Sequence, residues 1–196
     1  MGREKSWVTL FLIGLFLRGT SPRCAVEQPA VPRISVVVCD QAGLPKETLT
    51  NAQRLATSVF REAAIDLLWM DGKQSPVSEA RNLLRIHCCY DRLRKDLPHR
   101  TMGFAPVGGR HITVFWDRIT IEAASAGLPE GLLLGYVMAH ELGHLLLPAG
   151  YHSPYGIMQS RLRYDDWSRT RRVCSLFFSK EEANQMQLAL KDRSPY

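Results

Sequence analysis

The 196-residue chain has no Cys-x-x-Cys spacing, no internal repeat, no low-complexity tract and no unusual load of proline or glycine, with 11 and 14 respectively. Each absence removes a class of protein. Without that cysteine spacing no metal ligand is assigned to sulfur, and without a repeat or a biased tract a solenoid or a disordered segment has no support. Apolar residues at 45% and charged residues at 22% are those of an ordinary globular protein. The length suits one well-buried core and is short for two domains of usual size.

The opening "MGREKSWVTLFLIGLFLRGTSPRCA" has a basic start and an apolar run, Val8 to Leu17, well below the roughly 20 residues of a spanning helix and suited to an export signal. Residues 1–25 are therefore expected to be a signal peptide or N-terminal anchor, with 26–196 as the folded domain. The protein is expected to be secreted, periplasmic or extracellular, and to meet a membrane only if the leading segment stays uncleaved. Removing residues 1–25 takes away Arg3, Lys5, Arg18, Arg23 and Glu4, so the formal charge falls from +6 to +3, 21 basic minus 18 acidic. Much of the excess lies in "RLRYDDWSRTRR", Arg161 to Arg172, which reads as a solvated surface. No nucleic-acid partner is implied, and a monomer is expected. Of five cysteines, Cys24 leaves with a cleaved signal, so Cys39, Cys88, Cys89 and Cys174 remain for up to two disulfides in an oxidising compartment. Cys88 and Cys89 would face opposite sides of a strand.

"PRISVVVCD" reads as a first strand, with a turn at Gly43 to Pro45. In "KETLTNAQRLATSVFREA" the positions Leu49, Ala52, Ala56, Val59, Phe60 and Ala63 form one helical stripe. "IDLLWMD" and "NLLRIHCCYD" read as two further strands, and "TMGFAPVGGRHITVFWDRI" as two short extended stretches around Gly108 and Gly109. Pro129 and Glu130 open a very apolar helix, "LLLGYVMAHELGHLLL", expected to run until Pro148. Ser179 and Glu182 have the spacing of a capping box before a terminal helix.

The chemistry lies in "HELGHLLLPAGYHSPYGIM", residues 140–158. Residues four apart share a helix face, so His140 and His144 can aim their imidazoles at one cation. Glu141 projects to the side of that clamp, where it serves as general base toward metal-activated water without being a ligand. Zinc takes such nitrogen ligands and leaves a position open in catalytic sites. Burying two histidines and a glutamate among leucines is costly unless the polar groups are paired, and a metal supplies that pairing. Pro148 stops the helix and Gly150 permits a positive φ, so the chain can turn back and offer His152 as third ligand. A glutamate from the last helix, Glu181 or Glu182, is the other source, although the capping box already employs Glu182. His87, His99 and His111 are read as structural.

The stretch from His140 to Met158 resembles the zinc site of the metzincins, zinc endopeptidases of the zincin group in which an HExxHxxGxxH run precedes a methionine turn. "GIM", Gly156 to Met158, matches that turn, and "HSPYGIM" with "HELGHLLL" is similar to small secreted bacterial proteins of uncharacterised function. Leu147 stands at the family's glycine position and Gly150 at its third histidine, so either the loop bulges by two residues or the third ligand differs. Ser160 stands where some metzincins have a tyrosine, leaving Tyr151 and Tyr155 as the nearby phenols. The resemblance implies an α+β fold, a twisted mixed sheet packed with an N-terminal helix and an active-site helix, plus a C-terminal helix. It further implies a substrate strand lying antiparallel to the sheet edge, and Met158 packed beneath the metal.

Together these readings anticipate a zinc-dependent endopeptidase acting on a peptide or protein substrate, with Zn2+ held by His140, His144 and His152 and with Glu141 as base. The alternatives are a secreted zinc-binding protein with a structural or non-catalytic site, and a membrane-tethered interaction module in which HELGH is fortuitous.

Overall fold

A computed structural model describes residues 31–70, 82–90, 98, 101–160 and 176–193. The leading segment 1–25, His99, the basic stretch 161–172 and Cys174 lie outside the described residues. The β-branched "RISVVVCD" forms β1 (Arg33–Asp40), and the Asp40 carboxylate closes the following turn by accepting from the N–H groups of Ala42, Gly43 and Leu44 at 3.1, 2.9 and 2.8 Å. Gly43 supplies the left-handed φ of 71° that this turn needs.

Helix α1 (Lys46–Glu62) buries Ala52, Ala56, Val59 and Phe60, the apolar stripe expected from the spacing. Strands β2 (Asp66–Met70), β3 (Leu83–Cys89), β4 (Gly103–Phe104) and β5 (His111–Phe115) complete a five-stranded sheet of order β2-β1-β3-β5-β4. The pairings are parallel except β4 with β5, which is antiparallel. The sheet is therefore mixed, as anticipated. Ile34 and Val36, Leu84, Ile86 and Cys88, and Ile112 and Val114 present one apolar face from β1, β3 and β5 to the helices.

Two differences from the sequence reading concern helices. Helix α2 (Trp116–Ala126) was not expected; it follows β5 without a linker and stops at Gly127, whose φ of 61° makes a left-handed cap. Its first residues, "WDRIT", continue the β-branched and aromatic pattern of the strand before them, so periodicity gives no sign of the change. Helix α3 (Glu130–His144) ends before Pro148, and Leu145–Leu147 form a turn. The proline ring clashes with the carbonyl four residues back, that of His144, and so sets the stop there.

Helix α3 is buried on nearly every side, with Gly131 and Gly135 letting it approach α1 closely: a β-carbon on Gly135 would sit 2.8 Å from the Ala52 carbonyl oxygen. Helix α4 (Lys180–Arg193) is capped as the sequence indicates, Ser179 N–H donating to Glu182 Oε2 at 2.7 Å and Glu182 N–H to Ser179 Oγ at 3.2 Å. Its last residue ties it back to the core, Arg193 donating to the Leu145 carbonyl at 2.8 Å. Among the described residues no helix is long and apolar enough to cross a membrane.

Cys88 faces the core and is fully buried, while Cys39 lies on the other face; both carry free thiols. This corrects the expectation of up to two disulfides, since at most one bridge is left to the remaining cysteines. Register keeps these two from bridging each other: Cys39 pairs with His87 and Cys88 with Asp40, so the two sulfurs project from opposite sides of the sheet.

Candidate metal centre

The end of α3 and the loop after it bring His140, His144 and His152 together, with one ligand atom from each lying within 4.8 Å of the others. The ring centroids are 4.6 Å apart for His140 and His144, 4.8 Å for His144 and His152, and 5.5 Å for His140 and His152. One helical turn accounts for the first pair. The third ring arrives by the two-residue bulge: Tyr151 N–H donates to the Pro148 carbonyl at 3.1 Å, and Gly150 takes a φ of 69° inside that turn. Glu181 and Glu182 are not in the cluster. His87 and His111 sit away from it on β3 and β5, edge to face at 5.8 Å.

His140 Nδ1 lies 2.8 Å from the Ile157 carbonyl oxygen, so this nitrogen carries the proton and Nε2 presents its lone pair to the cluster. His144 Nε2 stands 3.0 Å from His140 Nε2. Tetrahedral zinc with Zn–N near 2.0–2.1 Å places its ligand nitrogens about 3.3 Å apart. The donor set suits zinc: neutral imidazoles converge, and one of them is oriented by an outer carbonyl. Burial holds His140 neutral further into acid than usual, with the Ile157 carbonyl opposing, the nearby His152 reinforcing and Glu182 opposing. The pKa of His144 is lowered to about 4, first by burial and then by the other two rings. Metal binding therefore has no proton to displace from these two imidazoles near neutral pH.

Glu141 is 7% exposed, and burial raises its pKa to about 8. The room for its carboxylate comes from Gly103 on edge strand β4. A β-carbon there would lie 2.6 Å from Glu141 Cγ and 2.7 Å from Oε1. Arg118, buried at the start of α2, steadies the approach to β4 by donating to the carbonyls of Pro98 and Thr101 at 2.7 and 2.6 Å. Gly103→Ala is expected to push the carboxylate aside and lower turnover by about 10²-fold, the scale of a 1 Å misplacement, while zinc content stays at the wild-type value. Activity and metal assays on one preparation check this.

The methionine turn lies under α3. A β-carbon on Gly143 would meet Met158 Sδ at 2.8 Å and the Phe178 ring at 2.9 Å, so Met158 packs directly against the ligand helix. Gly156, with φ of 78°, and Ile157, whose N–H donates to the Phe177 carbonyl at 3.0 Å, seat the turn on the segment leading into α4. The sequence reading named the three histidines, which the structure brings together, and Glu141 and Met158, which it buries. It missed Gly103, the Ile157 carbonyl and the Phe177–Phe178 backing, whose roles depend on long-range contacts with no local spacing to betray them.

The burial of Glu141 implies a pH dependence for the metal-free protein. Its folded-state pKa, about 8, lies above its ordinary value of 4.5, so the folded form holds an extra proton between those values and stability is lost as pH rises through the window. His144 acts oppositely, adding stability as pH rises from about 4 to 6.5. Between pH 6.5 and 8 the carboxyl effect is the one that acts among the described residues. The melting temperature of metal-free protein is expected to fall between pH 6.5 and 8, and Glu141→Gln to flatten that fall.

No protein-family model matches the sequence, and no curated protein matches it. Among solved structures, the chain is similar to archaemetzincin from Methanopyrus kandleri, with 14% identity, TM-score 0.53, and coverage of 83% of this chain and 98% of that one. It also matches archaemetzincin from Archaeoglobus fulgidus complexed with malonate, with 12% identity, TM-score 0.46, and coverage of 78% and 99%. The likeness to small secreted bacterial proteins gains no support from these comparisons. The five-stranded mixed sheet with four described helices matches the archaemetzincin fold, the metzincin-like architecture anticipated from the histidine helix and the methionine turn.

Proposed function

We propose that this chain is a zinc-dependent endopeptidase, with His140, His144 and His152 as metal ligands and Glu141 as general base. The observation that carries the reading is the convergence of three imidazoles beside a buried carboxylate that stands one residue from the first ligand. When bound, zinc supplies positive charge that polarises a scissile carbonyl and brings the pKa of water down toward about 7.

The chain's own residues do the rest. His140 is held by its Nδ1–H to the Ile157 carbonyl, which fixes the direction of its Nε2 lone pair. The Glu141 carboxylate takes a proton from the attacking water as the new C–O bond forms, and passes it to the amine nitrogen as the C–N bond breaks. A cation among the histidines favours the ionised form of Glu141, offsetting the burial that raises its pKa. Strand β4 ends the sheet on the side of Glu141, and its outer edge has no neighbouring strand among the described residues. An extended peptide or protein substrate pairs with that edge antiparallel, which brings its carbonyls past the carboxylate.

The basic and apolar start of the chain adds export to this reading, with the domain from residue 26 acting outside the cytoplasm as a monomer. A broad peptide-library digest with zinc-loaded protein, repeated with chelator, tests the function. Cleavage that chelator abolishes and zinc restores is expected. Bound zinc with no cleavage of any peptide would instead favour the non-catalytic metal-binding alternative.

A further inference from the structure

Strand β4 offers the edge on which an extended substrate is read, yet it has little ladder of its own to fix its place. It is two residues long, and it pairs with β5 only through Gly103 with Val114 and Phe104 with Thr113. So short a strand needs support from outside the ladder. Its position matters because Gly103 lies against Glu141, where a β-carbon would stand 2.6 Å from Cγ. A shift of β4 by about 1 Å would therefore move the line along which a bound peptide passes the carboxylate.

The support comes from the junction of β5 and α2. Phe115, the last residue of β5, donates its N–H to the Met102 carbonyl at 2.9 Å, just ahead of β4. Arg118, in the first turn of α2, lays its guanidinium carbon 4.9 Å from the centre of the Phe115 ring. Its Nη1 donates to the carbonyls of Pro98 and Thr101 at 2.7 and 2.6 Å, and Thr101 N–H donates to the same Pro98 carbonyl at 2.9 Å. One nitrogen thus ties together the turn that delivers the chain into Met102 and Gly103. Because α2 follows β5 without a linker, that turn is anchored to the sheet. Arg118 is 8% exposed, and burying a guanidinium is costly enough that its N–H groups must be matched.

We propose that Arg118 is a positioning residue for substrate: its guanidinium sets where edge strand β4 lies relative to Glu141, and so governs affinity for extended peptides. The proposal rests on the peptidase reading above and deepens it, assigning recognition of the peptide backbone to an edge clamped from behind. Arg118 is not among the clustered metal-binding side chains, and it acts only through residues 101–104. Its loss is expected to weaken binding of peptide and to spare the metal and the chemical step.

Arg118→Met keeps a flexible apolar side chain beside Phe115 but donates nothing. Arg118→Lys keeps charge and donors without the planar fork. For zinc-loaded wild type and both variants, kcat and KM are measured on one extended peptide that wild type cleaves, and amide exchange is followed in the metal-free proteins. For Arg118→Met, KM is expected to rise about 10-fold to 10²-fold, the scale of an edge misplaced by about 1 Å, with kcat within threefold of wild type. Exchange is expected to quicken over residues 101–104 while α3 keeps its protection. Arg118→Lys is expected to fall between wild type and Arg118→Met. A KM within twofold of wild type, unchanged exchange over 101–104, or a fall in kcat larger than the rise in KM would each overturn the proposal and leave the peptidase reading standing. A wild type that cleaves no peptide would remove both together. Should Arg118→Met fail to fold, Arg118→Lys decides: a KM raised more than twofold supports the proposal, and a smaller change overturns it.

Discussion

Glu141→Gln is expected to lower peptide turnover by about 10²–10⁴-fold, the contribution of a positioned general base, and to leave zinc binding intact. The two parts have separate causes. Glutamine fills the space that Gly103 leaves and keeps the helix unchanged, but its amide cannot accept the proton of an attacking water. Because Glu141 is not one of the three clustered side chains, the cation keeps its ligands. The neutral amide also suits a site whose burial raises the pKa of the acid to about 8, so the variant folds at least as well as wild type above neutral pH. Steady-state kinetics with metal analysis of the same samples checks both parts. Undiminished hydrolysis by this variant would take the base role away from Glu141.

Zinc added to metal-free protein is expected to raise its melting temperature steeply, and His144→Ala to remove that response. A ligand that binds only the folded form stabilises by about 4.1 kcal/mol at 1,000 times its dissociation constant. For a chain of 150–250 residues each kcal/mol is worth roughly 2–4 °C, so the rise is about 8–16 °C. His144 is the ring through which this is best tested. It sits on the last residue of α3, between the helix that fixes His140 and the loop that delivers His152, with its centroid less than 5 Å from both neighbours, at 4.6 and 4.8 Å. Its removal leaves two rings whose centroids are 5.5 Å apart. A calorimetric scan with and without zinc reads the effect. A variant that kept the wild-type shift would place the zinc elsewhere.

Much of this architecture can be read from local pattern, and the limits of that reading are physical. Strand β1 is a continuous β-branched run and helix α1 has a clear period of 3.6, and their observed bounds follow these signals. The α4 cap follows from side-chain chemistry at fixed spacing, which needs no tertiary contact. Helix α2 escapes because its opening residues favour extended structure and are overridden by packing of Trp116, Ile119 and Ala123 in the core. The loop to His152 illustrates an intermediate case: proline and glycine announce a turn, but only closure of Tyr151 N–H on the Pro148 carbonyl shows that two extra residues still return the ring to the cluster. Gly103 carries no local signal at all, since its meaning is the volume occupied by a side chain 38 positions further along the sequence.

Metal content of purified wild type and of His152→Ala, measured by mass spectrometry after removal of loosely bound ions, tests the three-histidine centre most directly. One zinc per wild-type chain and much less than one per chain in the variant is the expected pair of values. Wild-type protein without stoichiometric metal, or a His152→Ala variant that holds zinc as tightly as wild type, would contradict a site built from the helix and its bulged loop.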